Sequence, residues 1–282
     1  MENGKDCVDR KADLHMHTTY SDGALTPLEL IAKAGNAGLS VISITDHDSV
    51  GALDEASACA RDWGIEVVPG MELSATLNGA EVHILGYFMD YRDPVLEEYL
   101  VTFREGRLKR AERIVDKLNR MNIPLRMESV LAHATGDSVG RPHIATALVT
   151  EGHAGSYHEA FKKYIGDGRP AFEKKAAFSP EETVRLIAHA GGLSFLAHPG
   201  RATSDESLFH LLKAGIDGIE VIHPSHSPDV VRFYRGVVSE YCLLESGGSD
   251  FHGGPKGDDH LLGQVGIPTS TVDVMRHRLY SN

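Results

Sequence analysis

Residues 12–47, ADLHMHTTYSDGALTPLELIAKAGNAGLSVISITDH, decide the fold. ADLHMH (12–17) reads as a strand. Thr26-Pro27-Leu28-Glu29 is a capping box with proline at the first helical position, and it opens a helix to about Ala37. Gly38 ends that helix, and VISIT (41–45) is the short β-branched run of a buried parallel strand. Further along come a helix over 50–62, a strand at IEVVPG (65–70) followed by ELSATL, and a strand at EVHILGYF (81–88). This alternation predicts a parallel sheet.

The pattern changes at about residue 94. Residues 96–121 form one long helical run, and MESVLAHA, RPHIATALVTEG and SYHEAFKKYIG are three shorter helical patterns. Alternation resumes at Ser179-Pro180-Glu181-Glu182, a second capping box. LSFLAH (193–198), a helix near 205–214, GIEVI (218–222), a helix near 229–240 and LLESGGSD (243–250) complete the chain's pattern. About seven strands predict an α/β fold, a closed or nearly closed (β/α) barrel from residues 12–94 and 179–282, with 95–178 as an inserted helical subdomain. Its chemistry then belongs at the C-terminal ends of the strands.

Composition narrows the function. The 282 residues are 41% hydrophobic and 24% charged, as in ordinary globular domains, and they suffice for a sizeable core. With 28 basic against 40 acidic residues the net charge is −12, which weighs against duplex DNA or an anionic membrane as partner. No stretch approaches the roughly 20 apolar residues of a membrane span. The opening MENGKDCVDRKADLH is polar, without an apolar signal core. Cys7, Cys59 and Cys242 are widely spaced and read as free thiols, so the expected compartment is the reducing cytoplasm. The one excess is 16 histidines, the commonest metal-ligand residue type.

Six of those histidines fall on strands and strand ends. His15 and His17 close the first strand, and a period of two turns both imidazoles to one side. The second strand runs into Asp46-His47 and the third into Gly70-Met71-Glu72. His83 lies inside an apolar strand, His198 ends LSFLAH, and Asp250 and His252 end the last one, again two apart. A lone H-x-H is a weak signal, but the same feature at six elements is a strong one. Imidazole and carboxylate donors without cysteine suit Zn²⁺, Mn²⁺ or Fe²⁺. A carboxylate such as Glu72 can bridge two ions, the pairing that activates water and clamps a phosphoryl group.

The segments DLHMHTTYSDG, ITDHD, PGMELS, VHILGY, LAHPGR, GIEVIHPSHS and GSDFHG resemble, in order, the motifs of the PHP (polymerase and histidinol phosphatase) family of metal-dependent phosphoesterases. The resemblance implies a distorted (β/α)7 barrel of the PHP type with a helical insertion. The insertion and the wording around Asp22, Glu220 and Asp250 resemble the subgroup acting on nucleoside 3′,5′-bisphosphates and short 5′-phosphorylated RNA. It implies that His15, His17, Glu72 and Asp250 bind a first ion, and that Glu72, His83 and His198 bind a second. Asp22, His47 and His252 would make a third position, where many members carry His in place of Asp22. The implied cofactors are two or three divalent ions (Mn, Zn or Fe), and the implied partner is a small phosphorylated substrate.

A phosphoesterase also needs protein cations for phosphate oxygens. Arg201, three residues after His198, is the expected clamp, since guanidinium matches phosphate bidentately. Arg141 and His143 open an insertion helix whose N-terminus favours an anion. His226, beyond the Glu220 strand, could contact phosphate or protonate a leaving oxygen. Arg104, Arg107, Lys109, Arg110, Arg113, Lys117 and Arg120 read chiefly as a solvated helix face laced by i,i+4 pairs. No aromatic ladder for stacking bases is evident, and His158 receives no role. The expected reaction is removal of the 3′-phosphate of nucleoside bisphosphates. Histidinol-phosphate phosphatase, a non-catalytic metal-binding module, and amide or lactone hydrolysis on the same metals remain as alternatives.

Overall fold

The computed structural model describes residues 11–134, 136, 138–174, 178–201 and 203–280; Cys7 lies outside them. The opening βαβ unit forms as its sequence dictates. Strand β1 (Lys11–Met16) pairs in parallel with β2 (Leu39–Ile44), with Ala12 opposite Val41. Helix α1 (Pro27–Asn36) joins them. Its capping box is complete, Glu29 N–H donating to Thr26 Oγ1 and Thr26 N–H to Glu29 Oε2. Helix α2 (Leu53–Ala60) follows, then β3 (Glu66–Leu77), parallel to β2.

The next strand departs from the parallel expectation. β3 turns through Asn78-Gly79 into β4 (Ala80–Tyr87), which runs antiparallel to β3 and to the later β5 (Leu193–Leu196). Both turn residues have positive φ, 51° and 81°, the two-residue hairpin conformation that Asn-Gly favours. One consequence is functional. The N-terminal half of β4, with His83, lies at the end of the barrel where the parallel strands finish.

From β4 the chain enters a helical stretch: α3 (Pro94–Arg120), α4 (Met127–Leu131), α5 (Arg141–Thr150) and α6 (Tyr157–Ala160), the last continuing as a π turn over Phe161–Ile165. Asp93 caps α3 through the amides of Val95 and Leu96. Leu96, Leu100 and Phe103 of α3 pack on the sheet, while Ala111, Ile114, Val115 and Leu118 join Ile144 and Leu148 of α5 in a separate apolar cluster. The chain then returns through α7 (Pro180–His189), β5, α8 (Asp205–Ala214), β6 (Gly218–Ile222), α9 (Pro228–Glu240) and β7 (Leu244–Gly247). A two-residue β8 (Ile267–Pro268) and α10 (Thr269–Tyr280) end it; neither follows from the sequence pattern.

The sheet has eight strands in the order β7-β6-β5-β4-β3-β2-β1-β8, with β8 antiparallel to β1. It is nearly closed, because the segment after β7 returns to β1. His17 N–H donates to the Phe251 carbonyl at 2.8 Å, and Ser249 N–H donates to Asp13 at 2.9 Å. Gly248 permits this approach, since a Cβ there would collide with the His15 backbone. The expected seven strands are thus all present, and β8 is an addition at the edge.

Candidate metal centre and substrate cavity

The closing seam and the strand ends bring the histidines together. The side chains of His15 and His17 are fully buried, and Glu72 lies between the two halves of the cluster. Its Oε1 stands 2.7 Å from His83 Nδ1 and 3.0 Å from His198 Nε2. Its Oε2 stands 3.4, 3.3 and 3.1 Å from His15 Nε2, His17 Nε2 and His47 Nδ1. One carboxylate therefore faces two donor groups, one with each oxygen. Asp250 Oδ1 completes the first, at 3.4 Å from His15 Nε2 and 3.3 Å from His17 Nε2. Asp22 Oδ1 lies 3.3 Å from His252 Nε2, within a further group formed with His17 and His47.

This arrangement fits divalent ions on two counts. Donors about 2.0–2.2 Å from a common ion in tetrahedral array stand about 3.3–3.6 Å apart. The four separations linking His15 and His17 to Glu72 and Asp250, 3.3 to 3.4 Å, match that edge. In addition, among the described residues His17 Nε2, His47 Nδ1 and His252 Nε2 are buried without a hydrogen-bond partner, a costly state for a donor set with no ion to serve.

The opposite ring nitrogens are tied down. His15 Nδ1 donates to Glu220 Oε1 at 2.9 Å, His252 Nδ1 to the Asp250 carbonyl at 2.7 Å, and His83 Nε2 to Glu81 Oε1 at 3.3 Å, tautomers assigned from these partners. Such outer partners fix a ligating imidazole and leave its other nitrogen free to bind. Glu220 is fully buried and also accepts the His198 backbone N–H at 2.7 Å. Asp46 accepts from Thr18 N–H, Thr18 Oγ1 and Ser21 Oγ, fixing the loop that carries Asp22. Sequence reading placed both Asp46 and Glu220 within the motifs but gave neither this supporting role, because each partner lies on a different segment of the chain. His198 and Asp250 hold positive φ, 27° and 50°, a strain that non-glycine residues keep mainly where function requires it.

The electrostatics hold the carboxylate donors in their binding form and divide the imidazoles: burial lowers His17 and His47, whereas facing carboxylates raise His15, His83 and His252 against their burial, toward a proton that an ion must displace. Burial pushes Glu72 upward, but the neighbouring His47, His83 and His15 hold it well below the usual carboxylate range. Asp250 is held down in the same way against its burial, chiefly by His15 and His252. Burial, joined by the charge of His252, takes His17 down to about 4. His83 stays up at about 9 against its burial because Glu72 faces it, so an ion binding there displaces a proton.

Beside this cluster opens a cavity of about 320 Å³. Asp22, His47 and His83 lie on its barrel side, and Arg107, Arg110 and Arg141 on the other. Arg107 donates to Asp48 at 2.6 Å. Among the described residues Arg110 Nη2 is buried without a hydrogen-bond partner, with Glu81 3.9 Å away, and Arg141 Nη2 stands 3.5 Å from the same carboxylate. Arg107 and Arg110 thus correct the reading of α3 as a solvated face, because both turn inward. Arg113 and Lys117 pair instead with Glu173. His143 also lines the cavity, and its Nδ1 accepts the Gly140 N–H that opens α5.

Two sequence expectations are displaced. Arg201 is not among the residues lining this cavity; its side chain is 73% exposed, 3.6 Å from Asp229 on a different surface depression. His226 has both ring nitrogens occupied by backbone, Nδ1 donating to the Val221 carbonyl and Nε2 accepting from Gly200 N–H. With the Tyr234 hydroxyl donating to the Gly200 carbonyl, it clamps the turn that carries His198. His223, which the sequence reading passed over, stands where His226 was expected, its Nε2 3.5 Å from Asp250 Oδ2.

Comparison with known proteins bears on the family and on metal dependence. The family model for the PHP domain matches residues 13–164. The chain is 36% identical over 248 residues to a 5′-3′ exoribonuclease of Haemophilus influenzae, covering 86% of this chain and 90% of the relative. It is 36% identical over 246 residues to the 3′,5′-nucleoside bisphosphate phosphatase of Chromobacterium violaceum, covering 85% and 86%. A crystal structure from Bifidobacterium adolescentis, assigned as a metal-dependent phosphoesterase, superposes with a TM-score of 0.88 at 30% identity, covering 95% and 96%. Among the described residues no helix is long and apolar enough to cross a membrane.

Proposed function

The chain belongs to the PHP domain family of metal-dependent phosphoesterases, and on that premise we propose that it removes the 3′-phosphate from nucleoside 3′,5′-bisphosphates and trims short 5′-phosphorylated RNA. One observation carries the reading. The cavity that begins at Asp22, His47 and His83 also carries the guanidinium groups of Arg110 and Arg141, which face each other across Glu81, so a substrate with two phosphates finds cations for the one that the candidate metal ligands do not serve. A monophosphate of a small alcohol uses only half of it.

In this reading His15, His17, Glu72 and Asp250 hold one divalent ion, Glu72, His83 and His198 a second, and Asp22, His47 and His252 a third. Their mixed imidazole and carboxylate chemistry suits manganese, zinc or iron. Bound there, the ions activate water for attack and offset charge on the transferring phosphoryl group. Glu220 orients His15, and the His226–Tyr234 clamp orients His198. Arg110 and Arg141 hold the second phosphate, and His143 supports the start of α5 behind them. His223 is placed to protonate the departing ribose oxygen, a role His226 cannot take while both its nitrogens are bound to backbone. All nine expected ligand positions keep a competent donor, which argues against a degenerate binding module.

Phosphate release from adenosine 3′,5′-bisphosphate by the Mn²⁺-loaded chain tests the assignment, beside a short 5′-phosphorylated RNA, histidinol phosphate and a chelator control. Metal-dependent release from the bisphosphate and not from histidinol phosphate is the expected result. Turnover of histidinol phosphate alone overturns the substrate, and turnover of a neutral ester alone overturns phosphate recognition.

A further inference from the structure

The cavity has a third chemistry that neither the metal donors nor the guanidinium groups explain. Tyr157 and Phe161, one helical turn apart across α6 and its π turn, both line it. Their ring centroids are 5.1 Å apart and inclined by 43°. Both rings pack on the apolar cluster of the helical stretch, which anchors them, yet both are only partly buried, and each presents part of its surface to the cavity. Arg141 lies over the Phe161 ring at 5.9 Å, so that ring already carries a guanidinium partner, whereas Tyr157 has no such partner among the described residues. His158 adds a polar edge beside it.

A single cavity therefore offers candidate phosphoester-cleaving groups, a cationic subsite and a flat aromatic surface. Its volume is at the lower end for a small-ligand site, room for one nucleotide unit rather than a stack of bases. Resting on the nucleotide reading above, we propose that Tyr157, backed by Phe161, is the platform on which the substrate's nucleobase stacks. Stacking on a ring tolerates any base, so the platform selects for a nucleoside over a bare sugar without selecting among nucleosides.

Calorimetry on the Mn²⁺-loaded full chain tests this without turnover. Adenosine 5′-monophosphate should bind roughly 5- to 150-fold more tightly than ribose 5-phosphate, the range that stacking on one aromatic ring supports. Tyr157→Leu, which keeps apolar bulk toward the core, should bring that ratio toward one, and Tyr157→Trp should keep or widen it. The same ratio should appear in KM between adenosine 3′,5′-bisphosphate and ribose 3,5-bisphosphate. A ratio near one in the unaltered protein, or a ratio unmoved by Tyr157→Leu in a folded variant, overturns the platform. Tighter nucleotide binding with no turnover of either bisphosphate overturns the substrate reading and leaves the platform standing. Equal turnover of both bisphosphates does the reverse.

Discussion

Glu220→Gln isolates the outer support of the metal centre, because the change preserves volume and removes only charge and one acceptor. Glu220 accepts from two donors, His15 Nδ1–H at 2.9 Å and the His198 backbone N–H at 2.7 Å. A glutamine has one carbonyl oxygen. If that oxygen serves His15, the amide NH₂ opposes the His198 N–H; if it serves His198, the NH₂ opposes His15. Either way one buried donor loses its partner, at a cost of about 1–3 kcal/mol. For a chain of this size that lowers Tm by about 2–4 °C per kcal/mol. The functional cost comes through His15, whose tautomer and orientation the carboxylate fixes. Loss of such a partner lowers metal affinity or activity by roughly 10- to 100-fold. Mn²⁺ titrations followed by both bound-metal stoichiometry and initial rate give the test. The midpoint should move to higher Mn²⁺, and saturating Mn²⁺ should recover part of the rate. A lowered Tm with an unmoved Mn²⁺ midpoint would refute the positioning role and leave Glu220 a merely structural residue.

Other outcomes follow from the same geometry. Asp250→Asn should leave a folded chain whose turnover is abolished, measured by phosphate release beside circular dichroism. Arg141→Ala should raise KM for adenosine 3′,5′-bisphosphate by roughly 10-fold or more, the loss of a charge-assisted hydrogen bond worth about 1.5–3 kcal/mol, while Arg201→Ala changes it less than about twofold. His223→Gln should slow release of a ribose leaving group by roughly 10²- to 10⁴-fold and that of a phenolate leaving group far less; equal slowing would remove it as the proton donor. Burial raises Asp46 from 3.8 to about 6, against the pull of Ser21 and Thr18. The folded state therefore holds that proton more tightly than the unfolded one. The resulting stability is complete below 3.8 and lost as pH rises through about 6. In chelated protein, urea melts should show the unaltered chain losing stability relative to Asp46→Asn across that interval.

The parts of this molecule legible in its sequence are those set by local rules. Period-two spacing turned His15 with His17 to one side, and capping boxes marked α1 and α7 to within a residue or two. The Asn78-Gly79 hairpin was equally local; the pair sits between two apolar runs, and reading it would have reversed β4 in advance. What was not legible depends on which groups meet across the fold. His223 and His226 lie in one loop three residues apart, and only the backbone bonds to Val221 and Gly200 show which imidazole is committed to holding the turn. Arg201 is near His198 in sequence but exposed and outside the cavity lining, whereas Arg110 and Arg141 are distant in sequence and line it. Tyr157 and Phe161 have the spacing of a core stripe, and they do pack on a core; their second face exists only because the helical stretch leans over the strand ends. A division of labour follows. The barrel supplies the candidate ion ligands through strand positions that local pattern reveals, and the helical stretch supplies cations and aromatic rings through contacts that pattern cannot reveal. Substitutions in that stretch should therefore change which phosphoester is cleaved more readily than whether one is cleaved.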